Sequence, residues 1–144
     1  MKTLITFFSL LLLLSSCNVG PKPINYGEDH CHFCSMTIVD RQHAAQLVTR
    51  KGKVYNFDAA ECMIHSLPDF DATEVGHFLV TDYETPELLF DATTATFIIS
   101  PNITSPMRAN LAALTSRETG REVQLKKEGE LFTWEEVVQE LTTE

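Results

Sequence analysis

Ala44-Ala45-Gln46-Leu47-Val48-Thr49-Arg50-Lys51-Gly52-Lys53-Val54-Tyr55-Asn56-Phe57-Asp58 sets the plan of this chain. Ala44 to Val48 and Val54 to Phe57 are apolar, partly β-branched runs on either side of a polar turn that contains Gly52, the pattern of a β-hairpin. Asp58 stands where an N-cap belongs, with Glu61 three residues on as a capping-box partner. Ala60, Met63, Ile64 and Leu67 then recur at helical spacing until Pro68 stops the element.

Downstream, strands are predicted at Gly76 to Thr81, Glu87 to Phe90 and Thr93 to Ile99. Pro101 to Pro106 is a turn-rich loop from which Met107 emerges. Leu111 to Ser116, a turn at Glu118-Thr119-Gly120 and Glu122 to Leu125 read as a second hairpin. A capped helix follows, with Thr133 as N-cap, Glu136 as box partner and Trp134, Val137, Val138 and Leu141 as the apolar face. Ala44 to Leu67 and Leu111 to Leu141 thus share one plan, strand, turn, strand, helix, which suggests an internal duplication within a compact α+β arrangement. Upstream, Thr37-Ile38-Val39 is a short β-branched run joined to Ala44 by Asp40 to His43, and Asn18 to Glu28, with two Gly and two Pro, reads as a flexible tether.

The amino terminus is of another kind. Lys2 precedes the weakly polar and apolar run Leu4 to Leu14, too short to span a bilayer, and Ser15-Ser16-Cys17 follows. Leu14-Ser15-Ser16-Cys17 resembles the bacterial lipobox, which implies cleavage before Cys17 and a mature chain anchored by acyl groups on that residue. Asn18 is not a retention signal of the Asp type, so a periplasm-facing lipoprotein of the outer membrane is expected. The formal charge of −9 argues against nucleic acid or an anionic lipid surface as partner and suits a metal cation or a basic protein patch. With Cys17 carrying lipid, Cys31, Cys34 and Cys62 remain in an exported compartment, an odd number that leaves a free thiol or a metal ligand.

His30-Cys31-His32-Phe33-Cys34-Ser35-Met36 carries the chemistry. Two thiols in a C-x-x-C spacing, two imidazoles and a thioether are soft donors of the kind that select Cu(I). A structural zinc site would need a second ligand pair, and downstream only Cys62 and His65 offer one. A redox dithiol would need its first Cys at a helix start, and a c-type haem would need His where Ser35 stands. A Cys31–Cys34 disulfide brace in a structural lipoprotein is a further alternative. Met63 and Cys62 lie on a predicted helix where they also serve as core, and His43, His65 and His77 stand alone in sequence. No paired nucleophile and base and no phosphate loop occur, so a non-enzyme is expected.

Cys31-His32-Phe33-Cys34-Ser35-Met36, Tyr55-Asn56-Phe57-Asp58 with Glu61-Cys62-Met63, and Ser105-Pro106-Met107, together with the lipobox, resemble the nitrous oxide reductase accessory lipoprotein family, NosL. The resemblance implies a periplasmic Cu(I) chaperone for the copper centres of nitrous oxide reductase, built as two small ββαβ-type subdomains packed together. It divides the chain into a signal peptide at 1–16, lipidated Cys17 with a tether at 17–29, and a domain at 30–144 with halves at about 30–92 and 93–144. On this reading Cys34 and Met36 hold Cu(I), completed by Met107 or Cys31, with Cys62, Met63, His30 and His32 as further candidates. Two departures stand out: Ser35 occupies the place of a family Gly, which leaves that loop less free to take positive φ, and Arg108 follows Pro106-Met107 where the family has Gly.

Overall fold

A computed structural model describes residues 19–143; the leader, the lipobox and Cys17 lie outside them. The described residues form β1 (Ala45–Thr49), β2 (Val54–Phe57), α1 (Ala60–Ser66), β3 (Val75–Thr81), β4 (Leu89–Asp91), β5 (Thr96–Ile99), β6 (Leu111–Leu114), α2 (Arg117–Lys127), β7 (Glu130–Phe132) and α3 (Trp134–Thr142). The fold is α+β with two small antiparallel sheets, ordered β2-β1-β3-β4 and β6-β5-β7.

The Ala44 to Phe57 hairpin forms as its pattern predicts. Ala45 pairs with Phe57 and Val48 with Val54, and Gly52 closes the turn at φ +84, a conformation that carries no Cβ penalty for glycine. The last helix also forms as read, with Thr133 and Glu136 making both hydrogen bonds of the capping box.

Three expectations are corrected. Arg117–Lys127 is a helix, where a turn and a strand were expected. Ser116 caps it by accepting from the Thr119 N–H, and Gly120, read as a turn residue, lies inside the helix at a point where a Cβ would stand 2.8 Å from Thr96 Cγ2. Asp58 is not the cap of α1: Ala59 holds that position without a side-chain bond, and Glu61 is buried and accepts the Ser105 hydroxyl instead. Thr37 to Val39 forms no strand. Thr37 makes a single bridge to His30, while Ile38 donates to Asp29 O and accepts from Gly27 N–H, so its partners are residues just before the C-x-x-C loop.

The duplication is present in a different register. β1-β2-α1-β3 and β5-β6-α2-β7 have the same order, and in each sheet the first strand is central with the second and third on its two sides. The second unit therefore begins at Thr96 instead of Leu111, and α3 is an addition to it. The two units share one core, in which Leu47, Phe57 and Ile64 pack with Phe97, Leu111 and Val137. Trp134 sits between the sheets, with ring centroids 5.4 Å from Phe78 and 6.0 Å from Phe97.

The stretch expected to be a flexible tether is pinned from residue 19 onward. Val19 lies against Gly52, Lys22 exchanges two backbone bonds with the Gln46 amide, and Ile24 is buried in the core. Two prolines and two glycines do not make a segment mobile when its amides find partners. No helix among the described residues is long and apolar enough to cross a membrane.

Candidate metal centre

The C-x-x-C loop leaves the His30–Thr37 bridge and returns to it, held by Cys31 N–H on Met36 O and Ser35 N–H on Cys31 O. Ser35 takes φ +63, a conformation that a glycine would take freely. The serine costs about 1 kcal/mol there and the loop closes all the same. Arg108 does the same at φ +64, with its N–H on Ser105 O.

His32 N–H donates to Asn56 O, which ties the loop to the end of β2, where α1 begins. The consequence is that Cys62, on the first turn of α1, meets the loop cysteines. The Sγ atoms of Cys31, Cys34 and Cys62 all lie within 4.8 Å of one another, and all three thiols are free. An equilateral triangle of that edge has its centre about 2.8 Å from each corner, so a small contraction brings all three sulfurs to the roughly 2.3 Å of a metal–thiolate bond. Cys31 and Cys62 are buried and Cys34 is half-buried, so the triangle has one accessible corner.

The three sulfurs are not equivalent. The Cys62 S–H donates to Cys31 and, against the opposing effect of burial, pulls that thiol down to about 4; the N–H groups of Cys34, Asp58 and Phe33 add to the pull. The Cys34 N–H stands 3.5 Å from the Cys31 sulfur. Cys62 is pushed far up by that same hydrogen bond and by burial. Cys34 is pushed up by burial, eased by the Met36 N–H. This ordering makes Cys31, one of the two buried sulfurs, the thiolate, with Cys34 and Cys62 as thiols beside it. Burial, with the Cys31 charge next in effect, raises the neighbouring Asp58 carboxyl to about 6. The lowered Cys31 value favours the folded state in full above the ordinary thiol value, and that contribution declines as pH falls below it and is gone below about 4.

The other candidates are distributed around this triangle. Met36 and Met107 are exposed, and Met107 lines a cavity of about 410 Å³ together with Glu61 and His65. Met63 is fully buried in the core. His30 is exposed, and the His32 ring packs on Tyr55 at 4.6 Å and on Phe70 at 5.9 Å. His65 stacks on Phe33, His43 is buried beside Asp40 and Tyr83, and His77 is exposed on β3. Cys62 carried little weight in the sequence because it sits on an apolar helix face. The odd thiol count is the signal that pointed to it.

A family model described as NosL matches residues 23–142. The crystal structure of the copper chaperone NosL from Shewanella denitrificans is similar to this chain with a TM-score of 0.71; the two are 20% identical, and the match covers 82% of this chain and 95% of that one. That likeness is one of fold. None of the curated proteins matches.

Proposed function

The chain belongs to the NosL family, and from that premise we propose that it is a Cu(I) carrier that supplies nitrous oxide reductase, anchored through lipid on Cys17 and facing the periplasm. The observation that carries the reading is the triangle of free thiols on Cys31, Cys34 and Cys62. Thiolates select soft cations, and three of them, with no further His, Cys, Asp or Glu grouped with them among the described residues, suit a cargo that has to leave again. The Shewanella denitrificans protein of the same fold is a copper chaperone, in keeping with this donor set.

Cu(I) is cargo here, and the residues divide the work of holding and releasing it. Cys31 presents a ready thiolate; Cys62 and Cys34 give up protons as they bind. Cys34, the accessible corner, is where an acceptor's ligand first shares the ion, and Cys31 and Cys62 let go afterwards. We assign Met36, exposed and two residues beyond Cys34 in the chain, to bridging that exchange through its thioether. The chain acts as a carrier and not as a catalyst.

The test is transfer. The reduced, Cu(I)-loaded domain is mixed with copper-free nitrous oxide reductase, the two are separated, and copper in each is measured by mass spectrometry. The expected result is copper in the reductase at a rate that rises with carrier concentration. Copper that stays with the carrier, or that reaches the reductase no faster than from a Cu(I)–glutathione complex, contradicts the reading.

A further inference from the structure

The chain is acidic overall, yet the tip of the β1–β2 hairpin is basic. Arg50, Lys51 and Lys53 are exposed there and, with Tyr55 as a wall, line a cavity of about 360 Å³ in which the one carboxylate is Glu74. Lys51 reaches Glu74 at 3.3 Å, but both side chains are largely in solvent, so the pair holds weakly and leaves Lys51 free to turn elsewhere. Lys53 lies over the Tyr55 ring at 4.6 Å.

The amino terminus arrives at this same tip. A Cβ on Gly52 would stand 3.7 Å from Val19 Cγ2. From Val19 onward the segment is pinned, through Lys22 on Gln46 and Ile24 in the core. Cys17 is two residues before Val19, so its Cα lies within about 7.6 Å of Val19 Cα whatever path the chain takes. A lipid on Cys17 would therefore hold the domain on a leash too short for it to turn over.

We propose that the Arg50-Lys51-Gly52-Lys53 turn is a membrane-docking surface that binds the phosphates of anionic lipid headgroups beside the anchored Cys17. The proposal rests on the lipid-anchor reading. Each cation near such a surface is attracted over about one Debye length, while the acidic remainder of the molecule is repelled, so leash and charge impose one orientation. The turn is at one end of β2 and Asp58, whose N–H serves Cys31, is just past the other, which puts roughly 17 Å of extended chain between membrane and thiols. The thiol triangle then faces away from the lipid, towards soluble partners. The average charge of the chain concealed this, because it weighs all surfaces alike.

The experiment is lysine acetylation footprinting of the full chain, processed by its own signal, in detergent, in phosphatidylcholine vesicles and in vesicles that also contain phosphatidylglycerol. Peptide mass spectrometry reads acetylation of Lys51 and Lys53 against Lys126 on α2, and also the acyl groups on the N-terminal peptide. Lys51 and Lys53 are expected to react about five-fold more slowly on anionic vesicles than in detergent, relative to Lys126, with the protection relaxed by salt and weakened in Arg50→Gln. An acylated chain whose Lys51 and Lys53 react on anionic vesicles as they do in detergent overturns the proposal alone. An N-terminal peptide without acyl groups overturns the lipid-anchor reading and the proposal with it.

Discussion

Serine in place of Cys31 is expected to lower the affinity for Cu(I) by roughly a hundred- to a thousand-fold, measured by competition with a Cu(I) chelator on the reduced domain. The size follows from the share of one ligand in a thiolate site, where a full set is worth on the order of 10 kcal/mol or more and about 1.4 kcal/mol is a factor of ten. Cys31 also brings the thiolate already formed at neutral pH, so its loss removes a donor and the charge that offsets the cation. Cys62→Ser is expected to match it. Cys34→Ser is expected to cost less because that corner is half-open to water. Met36→Leu, at an exposed position, is expected to change affinity by less than about ten-fold. The same titration in weak buffer at pH 7 is expected to release about two protons per Cu(I), from Cys34 and Cys62, since Cys31 has given up its own. Release of three would mean that the resting site holds no thiolate.

Phe97→Ala is expected to cost about 3 to 5 kcal/mol of folding stability, the range for emptying a fully buried aromatic site. Phe97 lies on the central strand of the second sheet but packs in the core shared with Leu47, Phe57 and Ile64 of the first unit. The cavity is therefore felt by both units. Trp134, the chain's single tryptophan, packs between Phe97 and Phe78 and reports on that junction. Urea unfolding followed by tryptophan fluorescence and by far-ultraviolet circular dichroism is expected to give one coincident transition in wild type and variant, with the midpoint lowered in the variant. Two separated transitions would mean that the units fold apart.

These expectations depend on features the sequence discloses unevenly. The Gly52 hairpin and the Thr133 box were legible because each is local: a turn residue between two apolar runs, and a cap with its partner three residues on. The helix at Arg117–Lys127 was not, because Gly120 looks like punctuation until the close approach of Thr96 shows why no side chain fits. That one residue shifted the register of the whole duplication. Asp58 and Glu61 carried a capping-box pattern, but burial drew both away from the helix end, one beside the Cys31 thiolate and the other onto Ser105. Ser35 and Arg108 show the converse: the loop bonds of Ser35 N–H and Arg108 N–H hold a left-handed backbone that their side chains disfavour.

At the site, the loop thiols were legible from their spacing, and the third only as the odd thiol left over. Cys62 is 28 residues from Cys34 in the numbering, and only the tie between His32 N–H and Asn56 O, which seats the loop at the start of α1, brings it in. Met36 drew attention because it is near in sequence, which says nothing of where a side chain points. Burial separates the two kinds of candidate: Cys31 and Cys62 are enclosed, whereas Met36 and Met107 face solvent.

Copper K-edge X-ray absorption on the reduced domain loaded with one equivalent of Cu(I) shows whether Cys31, Cys34 and Cys62 hold the ion together. A first shell of three sulfurs at roughly 2.3 Å is expected, falling to two sulfurs in Cys62→Ser. A shell of nitrogen or oxygen donors, or a three-sulfur shell that survives unchanged in Cys62→Ser, would contradict it.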